Sequence, residues 1–131
     1  LPRRAHISGE PGAGSGRAHW SGLAWSIDFC RKRMPKFLYE IQVFRVGDAF
    51  IVALPGEPFV EGQLAIKTQS PLPCVQVVHM CSHYVGYLPT VEGALRGGHE
   101  ANGHCTYWAK LAPEALDLVV RNVKEMMREL A

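Results

Sequence analysis

Two β-rich runs joined by a Gly-Asp pair constrain this chain more than any other feature. FLYEIQVFRV (37–46) and AFIVALP (49–55) flank Gly47-Asp48. A two-residue link that begins with glycine is a hairpin signal, because glycine accepts the positive φ the turn needs. In the first run Leu38, Glu40, Gln42 and Phe44 face one way, and Phe37, Tyr39, Ile41 and Val43 face the other. The second run is apolar throughout, which predicts a central strand buried on both faces. It stops at Pro55-Gly56, and the first residue after the stop is a carboxylate, Glu57.

Downstream, the periodicities alternate between helix and strand. Pro58 suits the first turn of a helix. PFVEGQLAIKTQS (58–70) predicts a short helix with Phe59, Leu64 and Ile66 inward, weakened by Gly62. CVQVVHMCSH (74–83) is apolar and β-branched and predicts an interior strand. YVGYLPTVEGALRGGHEANGH (84–104) reads as loop, with one turn of helix after Thr90. Pro113 opens a final helix on which Leu116, Val120, Val123, Met127 and Leu130 form one apolar stripe. Asp117, Arg121, Lys124, Glu125 and Arg128 give it a solvated opposite face. The expected fold class is α/β: a mixed sheet with a β-hairpin and flanking helices, forming an incomplete part of a larger α/β domain.

The N-terminal third reads differently. Residues 1 to about 18 carry glycine, proline and serine with no apolar period, which predicts loop or linker. Trp20, Leu23, Trp25, Ile27 and Phe29 nearly alternate, which suits a strand. Residues 1–36 are therefore expected to be a flexible or loop-rich segment, and 37–131 the domain proper. The chain opens on Leu1 without a signal-peptide pattern, which suggests a piece of a longer protein and leaves cytoplasmic and secreted locations both open.

Composition removes several partner classes. No window holds eighteen uninterrupted apolar residues, so no membrane span is expected. A net charge of +2, with scattered basic residues, does not call for nucleic acid. Cys30, Cys74, Cys81 and Cys105 include no C-x-x-C pair and are expected as free thiols, with Cys74 and Cys81 behaving as small buried hydrophobes.

Two features point to chemistry. Glu57 follows a buried strand, and HYVGYLPT (83–90) puts Tyr84 and Tyr87 just beyond the next strand. If those strands are parallel neighbours, Glu57 and Tyr87 reach the same sheet edge, where ligands gather in open α/β sheets. A carboxylate and a phenol are hard oxygen donors, able to ligate a metal or hold a polar substrate. On residue type alone, two plainer roles stay open: Glu57 as cap of the helix beginning at Pro58, and Tyr87 as a half-buried aromatic. His79 and His83 would stand about 13 Å apart along a strand, too far to share one ion. Cys81, His83, His99, His104 and Cys105 could form a local zinc site by type, though their spacing fits no familiar zinc module.

The blocks VGDAFIVALPGEPFVEGQLAIK, VVHMCSHYVGYLPTVEGALRGGHE and LAPEALDLVV resemble, in order and spacing, the end of the catalytic domain of the neutral/alkaline (non-lysosomal) ceramidase family. The similarity runs from about Leu38 to Leu130, and more narrowly it is to bacterial ceramidase-like members. The resemblance implies a zinc-dependent amidohydrolase acting on an N-acyl amide bond of a sphingolipid-like or other amide substrate. It implies Glu57 and Tyr87 as two of four Zn2+ ligands, with Tyr84 and His99 on the substrate side. The two ligand histidines and a serine block have no match here, so the remainder of the catalytic domain is an expected partner and the chain alone is expected to be inactive. There are departures from the family pattern. His99-Glu100 stands where Tyr-Glu is common, Ser82 where asparagine is usual, and Pro58-Phe59-Val60 and Gln63-Leu64 where the family often has Phe-Thr-Thr and Arg-Arg. A non-enzymatic α/β binding or assembly module is the alternative expectation.

Overall fold

The computed structural model describes residues 3–9, 37–97, 99–100, 109, 111–112 and 114–131. The near-alternating run at 20–29, Cys30, His19, His104, Cys105 and Pro113 lie outside the described residues. β1 (Arg3–Gly9), β2 (Phe37–Val46) and β3 (Ala49–Ala53) are followed by a short β4 (Glu57–Pro58) and helix α1 (Val60–Thr68). Then come β5 (Cys74–Val78), a short β6 (Tyr87–Leu88), α2 (Val91–Arg96) and α3 (Ala115–Leu130).

The hairpin forms as its sequence dictates. Val46 pairs with Ala49 across the two-residue turn, and Gly47 takes φ +58 at the first central position, the place a II′ turn reserves for glycine. β2 and β3 are antiparallel, and β5 lies parallel beside β3. The sheet order is β1-β2-β3-β5, a mixed sheet within the α/β class.

β1 departs from the loop expected for the first residues. Arg3–Gly9 pairs antiparallel with β2, setting Ala5 opposite Ile41 and Ile7 opposite Tyr39. Pairing to an existing strand supplies hydrogen bonds that local glycine content does not forbid; tertiary context overrides propensity here.

Both long helices cover one face of the sheet. α3 packs on β1 and β2, α1 packs on β5, and the two helices touch each other. Tyr39, Ile41, Val43, Phe50, Val52 and Val75 from the sheet meet Ile66 of α1 and Leu116, Val119, Val123 and Met127 of α3 in one buried core. The α3 stripe follows the predicted spacing, and Arg45 closes the helix end by donating through Nη1 to the carbonyls of Leu130 and Ala131.

Several expectations change. β3 is not buried on both faces: Phe50 and Val52 are buried, but Ile51 is 39% exposed, because no described helix covers the far face. Among the described residues β5 is a sheet edge rather than an interior strand; Cys74 is exposed and Cys81 half-buried, so neither is a core cysteine. In α1 the inward stripe is Gly62 and Ile66, while Leu64 is 52% exposed. Gly62 sets that face: a Cβ there would lie 2.6 Å from Leu116 Cδ1, so glycine lets α1 close onto α3. The helix also begins at Val60, with Pro58 in β4 rather than in the first turn.

The far face therefore carries Leu38, Val46, Ile51 and Val78 as exposed apolar groups, with half-buried Phe44 among them. Among the described residues, no helix is long and apolar enough to cross a membrane. The face of α1 is testable by urea unfolding. Ile66→Ala is expected to lower stability by about 2–5 kcal/mol, and Leu64→Ala by no more than about 0.5 kcal/mol.

Candidate functional site

The site is built where β3 and β5 end. Two parallel neighbours finish at the same edge, and their exit loops are tied together through the main chain. Leu54 N–H donates to the Val78 carbonyl at 2.9 Å, extending the pairing one step beyond β3. Met80 N–H then donates to the Gly56 carbonyl at 2.8 Å, and Cys81 N–H to the Leu54 carbonyl at 3.1 Å. Glu57 N–H reaches the Gly86 carbonyl at 2.9 Å, and Phe59 N–H the Leu88 carbonyl at 3.0 Å. The last two bonds make β4 and β6 a parallel pair in which Glu57 stands opposite Tyr87 and Pro58 opposite Leu88. Ala109 bridges to Gly86 from the other side.

Close packing makes this route possible. Gly56 has φ +66, and a Cβ on it would lie 2.4 Å from the Gly86 carbonyl oxygen and 2.5 Å from Val85 Cγ2. Pro55 and Leu54 beside it are fully buried. From below, the buried Tyr39 hydroxyl donates to the Pro55 carbonyl at 2.7 Å. Burial pushes the Tyr39 phenol well above its ordinary range, and Cys81 nearby adds to the same direction. The hydroxyl is therefore a permanent donor, anchoring the turn that carries Glu57.

The loop after β5 is bent sharply. Strand geometry ends at Val78, so His79 and His83 lie in the loop rather than along a strand. Met80 has φ +60 and Ser82 φ +61, and His83 N–H donates to the Cys81 carbonyl at 2.7 Å. That is a γ-turn with positive φ at its centre, a strained conformation costing about 1–3 kcal/mol at each such residue. The bends return the chain so that the Tyr84 hydroxyl reaches Glu57 and the Tyr87 backbone pairs beside it.

Glu57 is half-buried, and its Oε1 accepts a hydrogen bond from the Tyr84 hydroxyl at 3.0 Å. It does not cap α1: the N-cap is Phe59, without a side-chain cap bond. Opposed residues on paired strands project to the same side, about 4.8 Å apart at the backbone. The pairing thus starts the Glu57 and Tyr87 side chains from adjacent points on one side of the ribbon. A carboxylate bonded to one phenol, with a second tyrosine opposite it in register, offers hard oxygen donors of a type suited to a small divalent cation or to the polar end of a substrate. The Tyr84–Glu57 bond was not foreseen from the sequence; the three-residue spacing of Tyr84 and Tyr87 around Gly86 was its only trace.

His99 lies in an exposed turn after α2, its side chain 77% exposed and its Nδ1 3.6 Å from Glu100 Oε1. α2 itself starts as expected after Thr90, whose Oγ1 accepts from Gly93 N–H at 2.9 Å. Among the described residues no three His, Cys, Asp or Glu side chains come together as a metal cage, so Cys81, His83 and His99 form no local zinc centre there. A cleft of about 560 Å³ lies between α1 and α3, lined by Glu61, Asp117, Arg121 and Glu125. Its opposed charges are those of two solvated helix flanks, and none of the sheet-edge groups lines it.

No protein-family model matches the sequence, and no curated protein matches it either. Among solved structures the chain is similar to neutral ceramidase from Pseudomonas aeruginosa, with a TM-score of 0.59 and 19% identity over 71% of this chain. The matched region spans 15% of that structure's length. At this identity the likeness is one of fold: the chain has a ceramidase-like fold over most of its length.

The stitched turn can be tested by substitution. Gly56→Ala is expected to destabilise by about 2–4 kcal/mol through the clash with the Gly86 carbonyl and the positive φ. Gly47→Ala, whose Cβ would meet nothing within 4 Å, should cost only about 1–2 kcal/mol of backbone strain. Chemical denaturation midpoints check the contrast.

Proposed function

We propose that this chain is the C-terminal part of a zinc-dependent amidohydrolase domain of ceramidase-like type, with Glu57 and Tyr87 as two of its metal ligands. The observation that carries the reading is the parallel pairing of Glu57 with Tyr87 at the ends of β3 and β5. Those are the two positions at which the sequence resemblance sets the ligand glutamate and tyrosine.

The donor set fits the ion. Zinc accepts carboxylate oxygen readily, and a phenol oxygen is a donor of the same hard type. Zinc in such a place supplies Lewis acidity to an amide carbonyl and lowers the pKa of a water nucleophile. This chain's own residues bring Glu57 and Tyr87 into register at one edge, where both are half-buried. Tyr84 and His99 are the substrate-side groups in this reading. The remaining ligands and the rest of the active site come from elsewhere in the parent domain, so the chain alone is inactive. The substrate class is an N-acyl amide, with a sphingolipid-like amide as the finer assignment.

The exposed apolar groups on the far sheet face, which no described helix covers, accord with the same reading. Leu38, Val46, Ile51 and Val78 stand exposed around Phe44, as on a sheet that another layer covers.

The test uses the full-length protein that carries this chain. Glu57→Ala and Tyr87→Phe are each expected to lower zinc content and to reduce zinc-dependent hydrolysis of a fluorogenic N-acyl amide by at least about 100-fold, of the order seen when a metal site is disturbed. Unchanged zinc stoichiometry and turnover in both variants would remove the ligand assignment.

A further inference from the structure

We infer that Tyr84 is a positioning residue that acts through Glu57, making its carboxylate a one-oxygen donor. This rests on the proposed ligand role of Glu57 and assigns Tyr84 a part that the substrate-side reading does not contain.

The Tyr84 hydroxyl donates to Glu57 Oε1 at 3.0 Å. A carboxylate with one oxygen engaged by a phenol offers the other, Oε2, for coordination. That division matters for metal choice. Four-coordinate zinc takes single oxygens at about 2.0–2.2 Å, whereas calcium commonly takes both oxygens of a glutamate, in shells of six to eight ligands. A phenol fixed to Oε1 therefore disfavours the two-oxygen mode and biases the site toward the small ion. Hydrogen bonds to ligating carboxylates set ligand orientation in this way generally.

The geometry around Tyr84 supports a fixed role. Its ring follows the γ-turn centred on Ser82 and precedes buried Val85 and Gly86. The Gly86 carbonyl in turn receives the Glu57 N–H. Glu57 is thus held twice by the same loop, once at its amide and once at its carboxylate. A residue serving only to contact substrate needs neither the loop bend nor the bond to Oε1.

The experiment compares zinc and calcium dissociation constants of the full-length protein, measured by chelator competition. The variants are Tyr84→Phe, Glu57→Gln and the double variant, with melting temperatures as the control for folding. The inference expects Tyr84→Phe to weaken zinc binding by about 10–100-fold and to narrow the zinc-to-calcium preference. In the Glu57→Gln background, removing the hydroxyl should cause little further loss, because the two groups act as a unit. p-Aminophenylalanine at position 84, which keeps a donor at similar reach, should restore most of the affinity. If Tyr84→Phe binds zinc like the parent while Glu57→Gln does not, the positioning role is wrong and the ligand role stands. If Glu57→Gln also leaves zinc affinity unchanged, the ligand reading itself is wrong. An equal loss from Tyr84→Phe in both backgrounds overturns the inference, since it shows a structural effect independent of Glu57.

Discussion

The hydrogen bond from Glu57 N–H to the Gly86 carbonyl governs the rest of the candidate site. Two strands that run in parallel normally send their chains off in different directions when they end. Here the exits are forced back together, and the contact is so close that Gly56 has no room for a Cβ. The Tyr39 hydroxyl holds the turn from within the core, and the bend at Ser82 brings the second loop to meet it. Removing the close approach would separate Glu57 from both tyrosines without touching any of their side chains.

Much of this was legible in the sequence, for physical reasons that differ by element. The hairpin was readable because a two-residue turn leaves few registers. The α3 stripe was readable because sixteen residues sample the helical period many times over. The meeting of Glu57 with the tyrosine loop followed from two strand ends being parallel neighbours, a topological inference rather than a local one. The face of α1 was not legible. In a nine-residue helix, Leu64 looks inward by hydropathy, but the contact with α3 is made by its glycine, whose value is the absence of a side chain. The edge position of β5 was equally hidden, since an apolar run reads alike at a sheet centre and at an edge that another layer covers. β1 was hidden because a pairing partner 28 to 40 residues away leaves no local mark.

Among the described residues, helices cover the sheet on one side only. Its helix-covered face is an ordinary core, with Ile41, Val43, Phe50, Val52, Val123 and Met127 fully or almost fully enclosed. Its other face mixes Leu38, Ile51 and Val78 with Glu40, Gln42 and Gln76. This asymmetry accords with the proposed place of the chain within a larger domain. β3 is apolar on both sides although, among the described residues, helices cover only one of them.

Because Glu57 and the two tyrosines are mounted by main-chain bonds between their loops, their placement is inherited separately from their chemistry. The carbonyls of Leu54, Gly56, Gly86 and Leu88 would hold the two loops together whatever side chains stood at 57, 84 and 87. A descendant lineage could exchange the carboxylate or a phenol for another donor and keep the same convergent mount. What it could not easily exchange is Gly56. The constrained quantity in such a lineage would be an empty volume beside a carbonyl, with the side chains of the edge free to vary around it.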